Sequence, residues 1–354
     1  MQTKNNLMVK VNHPLKDHNT FGLDSTAGGY LRLSTEGQLE SLPELIASYD
    51  DFLILGGGSN VLLPDFYDGL VVHVDIQRLS HRMSGKDVLV NVGGGVNWHQ
   101  LVSWAVENGF GGIENLALIP GRSGAAPIQN IGAYGVEFKD VFICLRAFNL
   151  ETGKFEVYDR EECQLAYRDS IFKNELKGKV IITDMWLRLS GRDHQFNLSY
   201  GGLKSHLEKK KIGHPEIEDI FQSVIEIRMS KLPDPTELGN AGSFFKNPVL
   251  PSRKAEALLN EYPEMPHYVL DDQNIKIPAG WLIEQCGFKG KYSGKVGCYE
   301  KQALVLINRG GAGAVDLVTH AGSVQKKVED KFGILLEPEV NIIHPHLYDQ
   351  VLKM

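Results

Sequence analysis

Leu53-Ile54-Leu55-Gly56-Gly57-Gly58-Ser59-Asn60 is an aliphatic run that breaks into three glycines and two small polar residues. A strand that ends this way exposes successive backbone N–H groups, which can cradle a pyrophosphate as a nest. It is not the Rossmann fingerprint, because Val61 takes the third glycine position and Pro64 interrupts any helix. It is not a Walker A loop either, since every Gly-Lys pair in the chain is followed by a residue other than Ser or Thr. A plain tight turn accounts for these residues equally well, so the loop alone does not fix its ligand.

Further along, residues 119–135 read Ile-Pro-Gly-Arg-Ser-Gly-Ala-Ala-Pro-Ile-Gln-Asn-Ile-Gly-Ala-Tyr-Gly. Small residues and two prolines predict an extended backbone open to close approach, and Gln129 and Asn130 add amide donors and acceptors. Such a segment suits a large flat ligand with a phosphate tail, as a dinucleotide cofactor presents. The alternative is a surface Ω-loop.

Around these segments strands and helices alternate, which predicts a mixed α/β or α+β core. Phe52-Leu53-Ile54-Leu55 reads as a buried strand, and residues 71–74 and 88–92 as others. Asn97 and Gln100 read as a capping box for a helix that Gly109 ends. Residues 229–235, with Pro233 and Pro235, read as a domain boundary. Beyond it, helices are expected from a Ser252 cap to near Glu261, from Trp281 to Cys286, and from about Val315 to Phe332. Strands are expected at residues 303–307 and 334–336.

Bulk properties narrow the function. The 354 residues suffice for two or three domains, and 42% hydrophobic with 23% charged residues is ordinary for a globular chain. A net charge of −7 gives no electrostatic case for a nucleic-acid partner. The lysines of Glu208-Lys209-Lys210-Lys211 read as a solvated face. Four cysteines without CxxC spacing read as reduced core residues in a cytoplasmic protein. No secretory signal or membrane span is expected, and twelve histidines without a metal-binding spacing predict no metal site.

Three further segments carry chemistry. Tyr167-Arg168-Asp169-Ser170 holds an arginine able to take a carboxylate bidentately, or a salt-bridged surface arginine. Leu335-Leu336-Glu337-Pro338-Glu339-Val340, as a strand, would put Glu337 and Glu339 on one face, for acid/base work or as edge charges. Residues 239–248, Gly-Asn-Ala-Gly-Ser-Phe-Phe-Lys-Asn-Pro, place Ser243 between glycines and phenylalanines. Without a Gly-x-Ser-x-Gly elbow, Ser243 is either a proton donor with distant partners or scaffolding.

Taken in order, these segments resemble the MurB family, the UDP-N-acetylenolpyruvoylglucosamine reductases of bacterial cell-wall synthesis. The likeness runs from His18-Asn19-Thr20-Phe21 to Glu339. It includes Gly56 to Asn60, Glu114 to Gly121, Pro127 to Gly135, Tyr167 to Ser170 and Ser230-Lys231-Leu232-Pro233, and Leu198-Ser199-Tyr200-Gly201 looks like the tyrosine loop of the type I branch. The resemblance implies an α+β fold: an FAD-binding domain of the vanillyl-alcohol-oxidase type over residues 1–228, in two α+β subdomains (about 1–78 and 79–228). A smaller substrate-binding domain over 229–345 and a tail at 346–354 follow. It implies that NADPH reduces FAD, and that a hydride then passes to the enolpyruvyl CH2 of a UDP-sugar.

By the same resemblance, FAD would be held by Gly56, Gly57, Gly58, Ser59, Asn60, Pro120, Gly121, Gln129, Asn130, Gly132, Ala133, Tyr134 and Gly135. Ser243 would protonate the carbon next to the carboxylate, with Arg168 and Glu339 stabilising the developing charge. Tyr200, Lys231, Asn247 and Gln302 match substrate-binding positions. Asn341 stands where the family pattern has arginine. No nucleic acid or membrane is implied as a partner, and the oligomeric state stays open, a monomer being compatible.

Overall fold

In a computed structural model describing residues 2–4, 7–199, 201–344, 348–349 and 351–353, the short aliphatic runs pair into sheets and the amphipathic runs cover them as helices. The chain forms two compact units. The first comprises residues 1–13, 27–57 and 68–229, the second residues 14–26, 58–67 and 230–354.

The first unit contains two five-stranded sheets. One has the order Gln2–Lys4, Leu7–Pro14, Thr26–Leu33, Phe66–Val74, Phe52–Leu55, the last two strands being parallel. Its core gathers Leu31, Leu33, Leu70 and Val72 with Leu42 and Leu45 of the short Leu42–Ile46 helix. Phe52–Leu55, expected to be buried, is an edge strand of which only Leu55 is buried. Its position is what launches the glycine loop from the rim of the sheet.

The other sheet is antiparallel, ordered Lys154–Asp159, Phe142–Asn149, Val180–Ser190, Asp87–Gly93, Leu79–Ser84. Alternation along Asp87–Gly93 buries Val88, Val90 and Val92, as a half-buried strand requires. They meet Leu101, Val102 and Ala105 of the Trp98–Glu107 helix and Ile220, Phe221 and Val224 of the Ile217–Lys231 helix. Asn97 caps the first helix by accepting the Gln100 N–H at 3.0 Å. The reciprocal bond of a capping box is not made. The unit boundary at 229/230 falls within the expected 229–235 segment, at its start, where the last turn of the Ile217–Lys231 helix still runs.

The second unit has a four-stranded antiparallel sheet, Gly239–Ser243, Val305–Asn308, Val296–Cys298, Tyr292–Ser293, and a three-stranded one, Val249–Pro251, Asn274–Lys276, Tyr268–Val269. Helices Ser252–Glu261, Ala279–Gln285 and Ala314–Phe332 surround its core. Gly333 ends the longest of them at φ +63, a left-handed C-cap that glycine adopts without strain. Ser252 is the first helical residue rather than the cap, and its hydroxyl donates to Asp272 O. Residues 334–336 are not a strand. Ile334 and Leu336 are buried in irregular backbone, and Leu336 O is satisfied by Gln325 Nε2 at 2.8 Å.

The expected tail is also part of this core. Tyr348 and Leu352 are buried, and Lys353 exchanges two hydrogen bonds with Gln325, at 2.8 and 2.9 Å. No disulfide forms among the four cysteines. Burial pushes the Cys163 and Cys298 thiols up to about 12, so neither supplies a thiolate near neutral pH. Among the described residues, no helix is long and apolar enough to cross a membrane.

Candidate functional site

In the first unit the two glycine-bearing segments meet. A Cβ on Gly57 would lie 2.9 Å from the Gly121 Cα, and one on Gly56 would lie 3.6 Å from Arg122 Cβ. Only a residue without a side chain allows the backbones this close at Gly57. The Gly57 N–H has no protein acceptor among the described residues. Ser123, two residues beyond Gly121, is fully buried, and its hydroxyl likewise has no protein partner. A buried orphan hydroxyl calls for an outside partner.

Reading the sequence missed a third member of this layer, Gly93-Gly94-Gly95. Added Cβ atoms there would fall 2.4 Å from Ile76 O, 2.3 Å from Ile182 O and 2.4 Å from Asp75 C. Gly124 N–H donates to Gly94 O at 2.9 Å, and Ser123 N–H to Val96 O at 2.8 Å. The signal was present: a strand running into three glycines occurs twice in this chain. Beside the layer, Asp75 accepts Arg32 Nε and Gln77 Nε2, each at 2.6 Å, and lies 3.6 Å from Arg122. Burial works to raise its carboxyl pKa. The hydrogen bonds from Arg32 and Gln77, with the charges of Arg32 and Arg122, more than offset this and hold it below the usual range.

The segment 119–135 is not extended throughout. It opens with a 3-10 turn at Ser123–Ala125 and ends in a small hairpin, Gly132–Ala133 against Val136–Glu137. The hairpin turn residues Tyr134 and Gly135 have φ +49 and +83, the signs a type I′ turn demands. Leu118 and Asn130 are also left-handed, at +55 and +42. Such strained positions persist only when their surroundings hold them, and they gather at ligand sites. Asn130 is held through both ends of its amide: its Nδ2 donates to Ala166 O at 3.0 Å and Glu137 Oε2 at 3.1 Å, and its Oδ1 accepts Lys139 N–H at 3.0 Å. Its side chain is therefore a clamp, and it would serve a ligand through the backbone it positions. Gln129 is half-buried and Pro120 exposed on the same segment.

Arg168 joins this segment. It tops a tight turn closed by mutual Ala166–Asp169 hydrogen bonds, with φ +55. Ser170 Oγ donates to Ile128 O at 2.6 Å, which stitches the turn to the 128–130 backbone. The Arg168 guanidinium donates from Nη2 to Gly132 O at 3.2 Å and lies 5.6 Å from the Tyr167 ring centre. Tyr200 lies outside the described residues.

The second unit brings Ser243, Asn60 and Glu339 onto neighbouring backbone. Strand Gly239–Ser243 pairs Asn240 with Ile307 but Ser243 with Val305, so one extra residue is inserted. Gly242, at φ +70, carries the bulge, and bulges re-aim the side chains that follow. Among the described residues the half-buried Ser243 hydroxyl has no hydrogen-bond partner. Among the described residues no base is hydrogen-bonded to it, as a nucleophilic serine needs. Phe244 and Phe245 behind it are fully buried, their rings 5.1 Å apart.

The chain after Ser243 zips antiparallel onto the Glu339 segment. Glu339 N–H donates to Phe244 O at 2.7 Å, Lys246 N–H to Glu337 O at 2.9 Å, and Phe245 bridges Pro338. Lys246 Nζ pairs with Glu337 at 3.0 Å, a largely exposed contact. Asn60 Nδ2 donates to Glu339 O at 3.2 Å, while the Asn341 backbone and side chain both donate to Asn60 O, at 3.0 and 3.1 Å. The residue that departs from the family pattern thus ties the Gly58-Ser59-Asn60 segment to the Glu339 segment. Gly58 N–H has no protein acceptor among the described residues.

Asn247 and Gln302 converge on one helix start. Asn247 Oδ1 accepts Ala279 N–H at 2.9 Å, and a Cβ on Gly280 would come 2.8 Å from Gln302 Oε1. Lys231 is exposed at the last residue of its helix.

Comparison with known proteins agrees with this division. Residues 27–157 match the FAD binding domain family, and residues 234–343 match the C-terminal domain of UDP-N-acetylenolpyruvoylglucosamine reductase. The reductase of Flavobacterium johnsoniae is 44% identical over 95% of this chain and 99% of its own length. That of Bacteroides fragilis is 44% identical over 94% and 99%. Among solved structures, the Thermus caldophilus reductase superposes with a TM-score of 0.65 at 24% identity, covering 95% of this chain and 98% of its own. A solvent-stable cholesterol oxidase superposes at 0.52 with 12% identity, covering 96% and 88%, a likeness of fold alone. The glycine layer, the free Gly57 N–H and the orphan Ser123 hydroxyl fit a bound flavin nucleotide. The chain belongs to the MurB family of UDP-N-acetylenolpyruvoylglucosamine reductases.

Proposed function

We propose that the protein catalyses the NADPH-dependent, FAD-mediated reduction of UDP-N-acetylenolpyruvoylglucosamine to UDP-N-acetylmuramate, a cytoplasmic step in peptidoglycan precursor synthesis. The observation that carries the residue-level reading is the Ser243 hydroxyl. Among the described residues it has no hydrogen-bond partner, follows a glycine bulge, and sits on a strand zipped against the Glu339 segment.

FAD, when bound, would supply the hydride chemistry at the enolpyruvyl CH2, with NADPH as its reductant. Hydride addition leaves negative charge on the neighbouring carbon and its carboxylate. Ser243 Oγ gives its proton to that carbon, closing a two-electron, two-hydrogen reduction. Transfer from an unperturbed hydroxyl to a carbanion-like carbon is downhill, so Ser243 needs no base to prime it. Arg168 offers a planar fork to the carboxylate as charge grows there, and Glu339, protonated or sharing a proton, supports the same group. Stabilisation that strengthens only as charge develops lowers the barrier rather than merely tightening binding. Lys231 and Tyr200 suit the diphosphate of the UDP-sugar, and Asn247 and Gln302 its remaining polar groups. Gly56 to Asn60, Pro120, Gly121 and Gln129 to Gly135 hold FAD.

A flavin-dependent oxidase shares the fold but not the C-terminal match, which favours the reductase. A non-catalytic UDP-sugar sensor is disfavoured by Ser243, Arg168 and Glu339 occurring together. The purified protein should be yellow and oxidise NADPH only when the enolpyruvyl UDP-sugar is added, followed by NADPH absorbance. A colourless protein, or oxidation indifferent to the sugar, would reject the reading.

Arg168→Lys should slow reoxidation of the flavin by substrate about 10- to 100-fold, the loss of one charge-assisted hydrogen bond. Stopped-flow mixing of reduced enzyme with substrate measures this, and an unchanged rate removes Arg168 from the chemistry.

A further inference from the structure

Arg228 projects from the Ile217–Lys231 helix, whose Ile220, Phe221, Val224 and Ile227 are core residues. Its one hydrogen bond among the described residues runs from Nη2 to Leu118 O at 3.3 Å. Its Nε is buried and has no partner. No carboxylate pairs with it among the described residues, whereas Arg122 has Asp75, and Arg146 has Asp184 and Glu36. Arg228 as a whole is half-buried, and withdrawing even part of a guanidinium from water without a counter-charge is unfavourable.

The place where this charge is kept is informative. Leu118 is left-handed and leads directly into Ile119-Pro120-Gly121, and Gly121 is the residue that abuts Gly57. Leu118 is gripped from both sides, its N–H donating to His99 Nδ1 at 3.1 Å and its C=O accepting Arg228. His99 can accept there only while Nδ1 is unprotonated. Burial, helped by the Arg228 charge, lowers its pKa and favours that form. Burial also lowers the Arg228 pKa, with a smaller opposing effect from Tyr134 and a reinforcing one from Arg168. The guanidinium thus lies within electrostatic range of the 132–135 hairpin as well as the 118–121 turn. Both segments belong to the flavin-holding set.

We propose that Arg228 is a flavin-site residue whose guanidinium receives an anionic oxygen of FAD. Two parts of FAD offer that chemistry: the diphosphate, anionic in both redox states, and the ring system, anionic only when reduced. The proposal rests on the flavin reading above.

The test uses the full-length protein with Arg228→Met and Arg228→Lys. Flavin is removed, melting of the apoprotein is followed, FAD is titrated back by fluorescence quenching, and the reduction potential of the reloaded protein is measured. An uncompensated cation predicts that the Met apoprotein melts at or above the wild-type temperature, while Lys keeps most of the FAD-linked property.

If the diphosphate is the partner, Met weakens FAD binding at least tenfold with the potential unmoved. If the reduced ring is, binding of oxidised FAD holds and the potential falls by about 30 mV or more, a tenfold preference lost in a two-electron couple. Either result supports the proposal. It is overturned if Met lowers the apoprotein melting temperature or fails to fold while, in Lys, affinity stays within twofold and the potential within about 10 mV. A loss confined to affinity for the enolpyruvyl UDP-sugar overturns it too. Wild-type protein that fails to take up FAD in the same titration would instead sink the flavin reading itself.

Discussion

Ser243→Ala is expected to slow reoxidation of the reduced enzyme by its UDP-sugar substrate by about 10²- to 10⁴-fold, the usual worth of a positioned general acid. Reduction by NADPH should stay within about twofold, because that half of the cycle needs no proton from Ser243. The asymmetry follows from the hydroxyl's surroundings. It has no partner among the described residues, so alanine breaks no hydrogen bond and the strand register against Val305 should persist. The bulge at Gly242, which sets where residue 243 points, is untouched. Anaerobic stopped-flow traces of flavin colour separate the two half-reactions. Equal slowing of both would mean the substitution disturbs the site as a whole. Unimpaired reoxidation would transfer the proton to another donor.

Gly58→Ala should be among the most damaging single-methyl changes to stability. The added Cβ would fall 1.9 Å from His18 O and 2.9 Å from Asn19 Cα, at a backbone φ of +62. His18 cannot easily retreat. Its N–H donates to Leu15 O at 2.9 Å within a 3-10 turn, and Asn19 is buried, with its amide joined to Leu15 O, Leu23 O and Leu23 N–H. Thr20 N–H further ties the turn to Gly58 O at 3.1 Å. Overpacking against fixed backbone adds to the left-handed penalty, for a total of about 3–5 kcal/mol. That corresponds to a melting temperature lower by on the order of 10 °C. Gly242→Ala is the internal control. Its φ is +70, yet nothing lies within 4 Å of the added Cβ, so only the conformational penalty of about 1–2 kcal/mol applies. If Gly58→Ala melts no lower than Gly242→Ala, the backbone clash is not real.

Much of the fold could be read from the chain, and the failures have physical causes. Ala314–Phe332 and Asp87–Gly93 announce themselves through clean periodicity and glycine stops. The Ile217–Lys231 helix did not, because the 229–235 boundary segment begins inside its last turn and breaks the pattern there. Residues 334–336 have a strand's composition, but Gln325 satisfies Leu336 O from a helix, so no ladder is needed. The candidate site residues stand out as ordered motifs rather than as local chemistry. Arg168 looks like any surface arginine until Ser170 stitches its turn to Ile128. Arg228 carries no motif, and what marks it is a buried Nε with no partner and no paired carboxylate among the described residues.

The clamp of Asn341 on Asn60 has a consequence for how the chain comes to be folded during synthesis. Val61–Leu62 pairs in parallel with Asn341–Ile342, a partner some four-fifths of the sequence away. The first unit is complete in the emerging chain by residue 229, but residues 14–26 and 58–67 must wait for the segment 230–354 to find their sheet and core. Closing so long a loop is slow for topological reasons. A ribosome-bound chain halted near residue 330 should therefore protect the Asp87–Gly93 strand from hydrogen exchange while leaving Val61 and Leu62 unprotected.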